Sequence, residues 1–238
     1  TLNRWIAHES AHTTREVTEA IEAYRFNDAA GAIYRFVWNV YCDWYVELAK
    51  PVLLGPDSPA KDETRAMVAW ARDEILKLLH PFMPFITEEL WEVTAKRDGL
   101  LALAQWPLKS SAPTPEQLVM LAAAAGPTDP LISPALIMPI FDHADFTDPK
   151  AEAEIGWVID LITQIRSVRA EMNIAPATLT ALVLVGASAE TRERAQRWND
   201  IVKRLARLSD LSFADRPPEG AVQLLVRGEV VALLRRYR

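Results

Sequence analysis

The sequence predicts a mainly α protein, an antiparallel helical bundle followed by a small α/β unit. Three observations predict it. Apolar residues recur at helical spacing through most of the first hundred or so positions. Prolines and glycines interrupt that pattern at short intervals, so successive helices must fold back on one another. Past about residue 178 the helical period gives way to short branched apolar runs that read as strands. The expected division is 1–150 for the bundle with an irregular cover segment and 151–238 for the α/β unit.

A first amphipathic helix is expected from Leu2 to about Tyr24, with Leu2, Trp5, Ile6, Val17, Ala20, Ile21 and Tyr24 apolar around a polar middle. The Phe26-Asn27-Asp28 corner turns the chain, with Asn27 or Asp28 as N-cap. The longest periodic stretch follows, Arg25 to Pro51, RFNDAAGAIYRFVWNVYCDWYVELAKP. Its Ile33, Val37, Val40, Trp44 and Leu48 fall on one helical face. Tyr34, Tyr41 and Tyr45, with Phe26 and Trp38 near them, form a second stripe. The helix therefore reads as the central bundle member, with most of its aromatics in the core. Arg35, Asn39 and Asp43, at i, i+4 and i+8, occupy the remaining face. They read either as a solvated face with i,i+4 pairs or as a polar ladder toward a ligand or neighbouring domain. Pro51 is expected to stop the helix, and 51–60, with three prolines and a glycine, to be irregular. A third helix, about Ala60 to Leu79, turns Met67, Trp70, Ala71, Ile75, Leu78 and Leu79 inward. His80-Pro81-Phe82-Met83-Pro84 is a hard break, and a fourth helix, about Phe85 to Lys96, packs Ile86, Leu90 and Val93.

Leu100 to Trp106 reads as a strand or an extended cover over the bundle. Thr114-Pro115-Glu116-Gln117 is a compact helix start, opening an Ala-rich helix that ends at Gly126-Pro127. Leu136 to Phe141 fits a strand. Asp148-Pro149 starts a long helix to about Met172 by the same N-cap and proline logic. The tail then reads as a strand at Leu179–Val185, one basic helix at Ala189–Leu208, and strands at Leu211–Phe213 and Ala221–Leu234, with a turn at Arg227-Gly228-Glu229.

Half of the residues are hydrophobic, enough for a packed core, which excludes global disorder. The one cysteine, Cys42, excludes an intrachain disulfide and a cysteine-based metal cluster, and reads as a buried structural thiol in a reducing compartment. No signal segment opens the sequence, and no apolar run approaches the roughly 20 residues that span a bilayer. The expectation is a soluble cytoplasmic protein with no membrane partner. The net charge of -6 conceals an asymmetry: residues 1–154 carry 13 Lys and Arg against 23 Asp and Glu, and residues 155–238 carry 13 against 9. Any polyanion is better met by the C-terminal third.

Three motifs carry candidate chemistry. His8-Glu9-Ser10-Ala11-His12 matches HExxH, in which two imidazoles one turn apart bind zinc and the glutamate activates water. The alternative is a solvated helix turn, because no downstream residue stands out as third ligand among Glu16, Glu19, His80 and His143. Arg166 and Arg169 lie one turn apart beside the apolar stripe Val158, Ile162 and Ile165. Their guanidinium forks suit phosphate or carboxylate recognition, and equally a salt bridge to the acidic bundle. Arg194, Arg197, Arg204 and Arg207 form one basic stripe, either solvated or against an RNA backbone. A Gly-rich phosphate loop and a nucleophile elbow do not occur in the sequence.

The stretch RFNDAAGAIYRFVWNVYCDWYVELAKP, followed by LLHPFMPFITEELWE, resembles the helical anticodon-binding domain of class I aminoacyl-tRNA synthetases for the branched aliphatic amino acids. CDWYVELAKP and the later IRSVRAEMNIAP are similar to the valine-specific branch. The resemblance extends from Leu2 to about Ala175 and implies that the HExxH match is accidental. It implies a parent enzyme that activates its amino acid with ATP and transfers it to tRNA, with catalysis in a domain bearing HIGH and KMSKS motifs and editing in another. Neither motif occurs here, so the resemblance implies a C-terminal portion without catalytic residues, cofactor or metal, ATP being a substrate of the parent. The implied partners are a valine tRNA and the catalytic and editing domains of the same, monomeric, parent chain. In this family a helix upstream of the bundle supplies part of the anticodon reading and a coiled coil commonly follows; the chain is expected to lack both. Arg35, Asn39 and Asp43 are then candidates for contacts to tRNA or to that upstream helix, and Arg166 and Arg169 for backbone or interdomain contacts. A bundle that merely supports neighbouring domains is the remaining alternative.

Overall fold

The computed structural model describes residues 1–107 and 147–234. The chain forms two compact units, Thr1–Ala151 and Glu152–Arg238. The helix start at Thr114-Pro115, the Ala-rich helix it opens, the strand expected at Leu136–Phe141, and His143 lie outside the described residues.

In the first unit, helix α1 spans Leu2–Glu22 and ends where Tyr24 adopts a left-handed φ of 59°. Helix α2, Phe26–Arg35, runs directly into a π-helical segment, Phe36–Tyr45, and then into α3, Val46–Leu53. Helix α4 covers Pro59–Leu79 and α5 covers Pro84–Thr94. The start of α4 follows its sequence closely: the Ser58 side chain accepts the Lys61 amide, and proline occupies the first turn. The His80–Pro84 break falls where it was expected, between α4 and α5.

The core joins Trp5, Ile6 and Val17 of α1, Ile33, Phe36, Tyr45 and Leu48 of the central helix, and Met67, Ala71, Ile75 and Leu78 of α4. A buried polar knot holds these three together. The Asn3 side-chain amide donates to Glu63 Oε1 (2.8 Å) and Thr64 Oγ1 (3.4 Å), and its oxygen accepts from the Tyr45 hydroxyl (3.1 Å). Burial, then Tyr41 and Glu63, pushes the Tyr45 phenol up, so it remains a donor across the physiological range.

Four local expectations are corrected. Neither Asn27 nor Asp28 caps α2, which starts at Phe26; Asp28 lies in the first turn and pairs with Arg25 at 2.9 Å. Pro51 does not stop the helix, because it sits in the last turn of α3, where Leu54 and Gly55 amides still reach the Lys50 and Val52 carbonyls (2.9 and 3.2 Å). Leu100–Trp106 is not a strand: Leu101–Leu103 is a 3-10 turn whose Leu101 and Ala102 amides are both bound by the Glu88 carboxylate at 2.8 Å, while Trp106 covers the bundle, its indole N–H donating to Thr18 at 2.8 Å. Finally, the apolar stripe of α5 does not enter the core, since Ile86, Leu90 and Val93 are 50, 39 and 65% exposed.

Helix α6, Pro149–Glu171, opens at Asp148, whose carboxylate accepts the Ala151 amide at 3.0 Å. The second unit adds strand β1 (Thr180–Val185), helices α7 (Ala189–Arg197) and α8 (Asn199–Ala206), and strands β2 (Leu208–Ala214), β3 (Val222–Val226) and β4 (Glu229–Leu234). The sheet order is β2-β1-β4-β3, with β1 and β2 parallel and the other pairs antiparallel. The β3–β4 hairpin closes on Arg227 and Gly228, with φ of 46° and 87°. Two successive positive φ values are what a two-residue hairpin turn of the primed type requires. Trp157, Val158, Leu161, Ile162 and Ile165 of α6 and Leu182, Leu184, Val202, Val231 and Leu233 are all buried.

Candidate nucleic-acid interface

Arg35, Asn39 and Asp43 are all exposed, so the polar ladder predicted along the central helix is present on its surface. Arg35 does not point freely outward: its Nη2 meets Glu16 Oε1 of α1 at 2.5 Å, with both side chains about half exposed (57 and 43%). Such a surface pair is worth ~0–1 kcal/mol and serves chiefly to fix where the guanidinium plane lies. Beside the ladder stand two aromatics that the helical period assigns to the core. Tyr34 and Trp38 are 62 and 53% exposed, with ring centroids 6.4 Å apart and planes at 50°.

Farther along, the π-helical segment changes which residues face the core. Its i→i+5 bonds place more residues in each turn than an α-helix does, so each later residue is rotated relative to the α period. Tyr45 thereby arrives in the core, fully buried, while Val37, Val40 and Trp44 of the expected buried face are left half-buried. Tyr34 precedes the segment and Trp38 lies near its start, so their exposure belongs to the face that Arg35 and Asn39 already turn to solvent. Between them and the core, the Tyr41 hydroxyl donates to the Val68 carbonyl (3.3 Å), and burial pushes its phenol up to about 12. Cys42 is half-buried; burial first and Asp43 second raise its thiol, so it is a poor nucleophile near neutral pH. The face thus offers two tilted rings, one oriented guanidinium, an amide and a carboxylate. Rings and guanidinium planes stack on unpaired bases, and amides and carboxylates pair with base edges.

The structure separates the two arginines of the α6 motif. Arg166 is exposed, its Nε donating to the Leu205 carbonyl at 3.1 Å. Arg169 is only 6% exposed, and its guanidinium donates to the carbonyls of Thr178 (2.7 Å), Ala175 (3.3 Å) and Arg207 (3.4 Å) and to Thr180 Oγ1 (3.1 Å). Burial, and after it Arg207, lowers its guanidinium from the ordinary value. Every acceptor it uses is neutral, and they belong to the connection from α6 to β1, to the first residue of β1 and to the residue before β2.

The basic stripe expected on one long helix is corrected. The helix breaks at Trp198, a buried residue whose indole N–H donates to Glu154 Oε1 at 2.7 Å. Arg197 binds both oxygens of Glu154 at 2.8 Å, and Arg194 lies over the Trp157 ring, 5.5 Å from its centroid. Desolvation opposes the charged form of Glu154, yet the Arg197 and Trp198 donors outweigh it and hold the carboxyl below its usual range. Arg207 sits past the end of α8 with a left-handed φ of 56°. Arg194 and Arg197 thus pack onto the α/β unit, and the four arginines do not share one helix.

Among the described residues, His8, Glu9 and His12 are not brought together with a third ligand. A zinc-bound imidazole donates its second ring N–H to a neighbour. The Nδ1 of His8 instead accepts the Asp148 amide at 3.1 Å, while His12 is exposed. Among the described residues no group of three or more His, Cys, Asp or Glu converges on a common point. The same Asp148 pairs with Arg4 at 2.7 Å, so this turn of α1 holds the start of α6.

A bundle of this order, carrying an exposed aromatic and polar face on its central helix, matches the family described as the anticodon-binding domain of tRNA ligases over residues 3–184. The chain belongs to that family. Within it, the similarity is to proteins named valine–tRNA ligase. The one from Bradyrhizobium diazoefficiens is 92% identical over 233 residues, 98% of this chain; that from Rhodopseudomonas palustris is 70% identical over 234; and that from Rhizobium meliloti is 47% identical over 238. The chain spans about a quarter of the length of these relatives, 24, 24 and 21% respectively. The matched region reaches into β1, so the family is not confined to the first unit. Among the described residues no helix is long and apolar enough to cross a membrane.

Proposed function

We propose that this chain is the tRNA-binding, anticodon-side part of a cytoplasmic valine–tRNA ligase. The observation that carries the reading is the family match over residues 3–184, supported by the valine–tRNA ligase names of its relatives. The parent enzyme joins valine to ATP as an enzyme-bound valyl-adenylate and passes the acyl group to the 3′ end of tRNA-Val. Activation and transfer fall to a catalytic domain of the same polypeptide. Hydrolysis of mischarged threonine falls to an editing domain, needed because an apolar pocket rejects a hydroxyl-bearing isostere poorly. ATP is a substrate of the parent, the parent acts as a monomer, and the present residues supply neither cofactor nor catalytic group.

The division of labour follows from charge and exposure. Residues 1–154 balance to -10, which disfavours nonspecific phosphate binding. Tyr34, Arg35, Trp38, Asn39 and Asp43 therefore meet unpaired bases, or the upstream helix that also meets them, by stacking and edge contacts. Phosphate contacts come from the C-terminal third, where the balance is +4 and Arg166 is exposed. Arg169 positions the α6–β1 connection. The test is a salt titration of tRNA-Val binding. Phosphate contacts give a linear fall of log affinity with log salt, with a slope of about -0.7 to -0.9 per contact. A salt-independent signal, or equal affinity for tRNAs of unrelated anticodons, contradicts anticodon-side binding and leaves a bundle that only supports its neighbours.

A further inference from the structure

The face of α5 has the composition of a buried surface and the exposure of a free one. Ile86, Leu90 and Val93 recur at steps of four and three, the spacing of a helix stripe that faces a core. They are nevertheless 50, 39 and 65% exposed, and Met83, at the turn that leads into the stripe, is 45% exposed. The one buried residue of α5 is Thr87, next to Ile86 and one turn before Leu90, at the edge of the stripe. Contiguous exposed apolar surface of this kind marks an interaction site, whereas scattered apolar residues do not.

The helix that presents this face is held firmly. Thr87 Oγ1 donates to the Met83 and Pro84 carbonyls (2.9 and 3.1 Å) and lies 2.9 Å from His80 Nδ1. Glu88 binds the Leu101 and Ala102 amides. Partial desolvation works against its charge, but those two amides and His80 more than compensate, and its carboxyl is held below the ordinary range. At the far end Arg97 clamps both Asp73 oxygens at 2.7 Å and covers the Trp91 ring at 3.9 Å. A frayed helix would expose apolar residues at random; this one is anchored at both ends.

We infer that the Ile86–Leu90–Val93 face of α5 is the seat of the remainder of the parent polypeptide. The inference rests on the reading of the chain as part of a valine–tRNA ligase. It is argued from length, since relatives matched over 98% of this chain extend for about three quarters of their own length outside it. Surface closed by another part of the same polypeptide needs no apolar partner within these residues. Exposed Glu89 and Glu92 border the stripe, so the occupant presents apolar side chains flanked by Lys or Arg.

Single cysteines placed at Ile86 and Val93 in a Cys42→Ala background test this with a bulky maleimide, the label being located by peptide mass. In the 238-residue chain both thiols react at the rate of an exposed site. In the full-length parent both slow by about tenfold or more, the sign of a surface reached only by local opening. Equal rates in the two proteins overturn the proposal. So does protection already present in the short chain, which at all dilutions means self-coverage and on loss by dilution means a second copy. Valine charging by the unmodified full-length protein reports the underlying reading separately. A protein that charges tRNA-Val and leaves both thiols reactive refutes only the docking face.

Discussion

Replacing Arg169 by alanine separates a structural role from a ligand-binding one. The side chain is almost fully buried and spends its donors on four neutral acceptors, two of them short, at 2.7 and 3.1 Å, and two long, at 3.3 and 3.4 Å. Hydrogen bonds from a charged group contribute about 1.5–3 kcal/mol each, so the short pair supplies roughly 3–6 kcal/mol. The long pair adds little. Removing a guanidinium that burial already disfavours returns part of this, and we expect a net loss of about 2–4 kcal/mol. With a urea slope near 1 kcal/mol/M for a unit of this size, the midpoint of the second unit falls by about 2 M or more. Lysine does not rescue it, because one ammonium cannot reach carbonyls of Ala175, Thr178 and Arg207 together. Hydrogen exchange should rise first in the connection from α6 to β1 and at the start of β2. If Arg169→Ala leaves that exchange and the midpoint unchanged yet abolishes tRNA binding, the clamp is wrong and Arg169 is a contact residue.

Two further outcomes follow from the polar network of the first unit. The Ala151 amide, against some desolvation and aided by Arg4, holds the Asp148 carboxyl below the usual carboxylate range. Its stabilisation is therefore present above the unfolded value of about 4 and is lost as pH falls through the folded value. Asp148→Ala should cost about 1–2 kcal/mol at pH 7, and Asn, which still caps, should recover about 1 of it because the Arg4 side of the ion pair is solvated. The difference between wild type and Asn in thermal melts should vanish in acid, and a difference that grew on acidification would contradict this sign. Thr87→Val removes the hydroxyl that His80 Nδ1 meets at 2.9 Å. Denaturation should register a loss of about 1–3 kcal/mol, the cost of a buried polar group left unpaired, while Thr87→Ser stays close to wild type.

How far the sequence was legible depends on whether the chemistry was local. Asp148-Pro149 and the His80–Pro84 break carry their own caps and constraints, and the helix ends fall at them. The Arg227-Gly228 turn was equally readable, since glycine takes its positive φ without cost and the flanking branched residues pair only if the turn is tight. The π-helical segment was not, because nothing in FVWNVYCDWY announces i→i+5 bonds, and the α period then misassigned Val37, Val40 and Trp44. The ladder Arg35, Asn39 and Asp43 was legible as an exposed row. Its neighbours Tyr34 and Trp38 were missed, although their position one residue before Arg35 and Asn39 was a signal that they border it. Arg169 shows the opposite limit: sequence places it beside Arg166 on one helix, and only the fold reveals the carbonyls that enclose it. The α5 stripe was read correctly as apolar, and no partner for it lies among the described residues.

The most direct test of the account compares two reactions of the full-length parent carrying Trp38→Ala. Stacking on an aromatic ring is worth about 1–3 kcal/mol per base, which is roughly a 5- to 150-fold loss in kcat/KM for charging tRNA-Val. Valine-dependent ATP–pyrophosphate exchange, which needs no tRNA, should stay at the wild-type rate. Undiminished charging would contradict a tRNA contact at this face, and parallel loss of both reactions would mean that Trp38 supports the enzyme's structure instead.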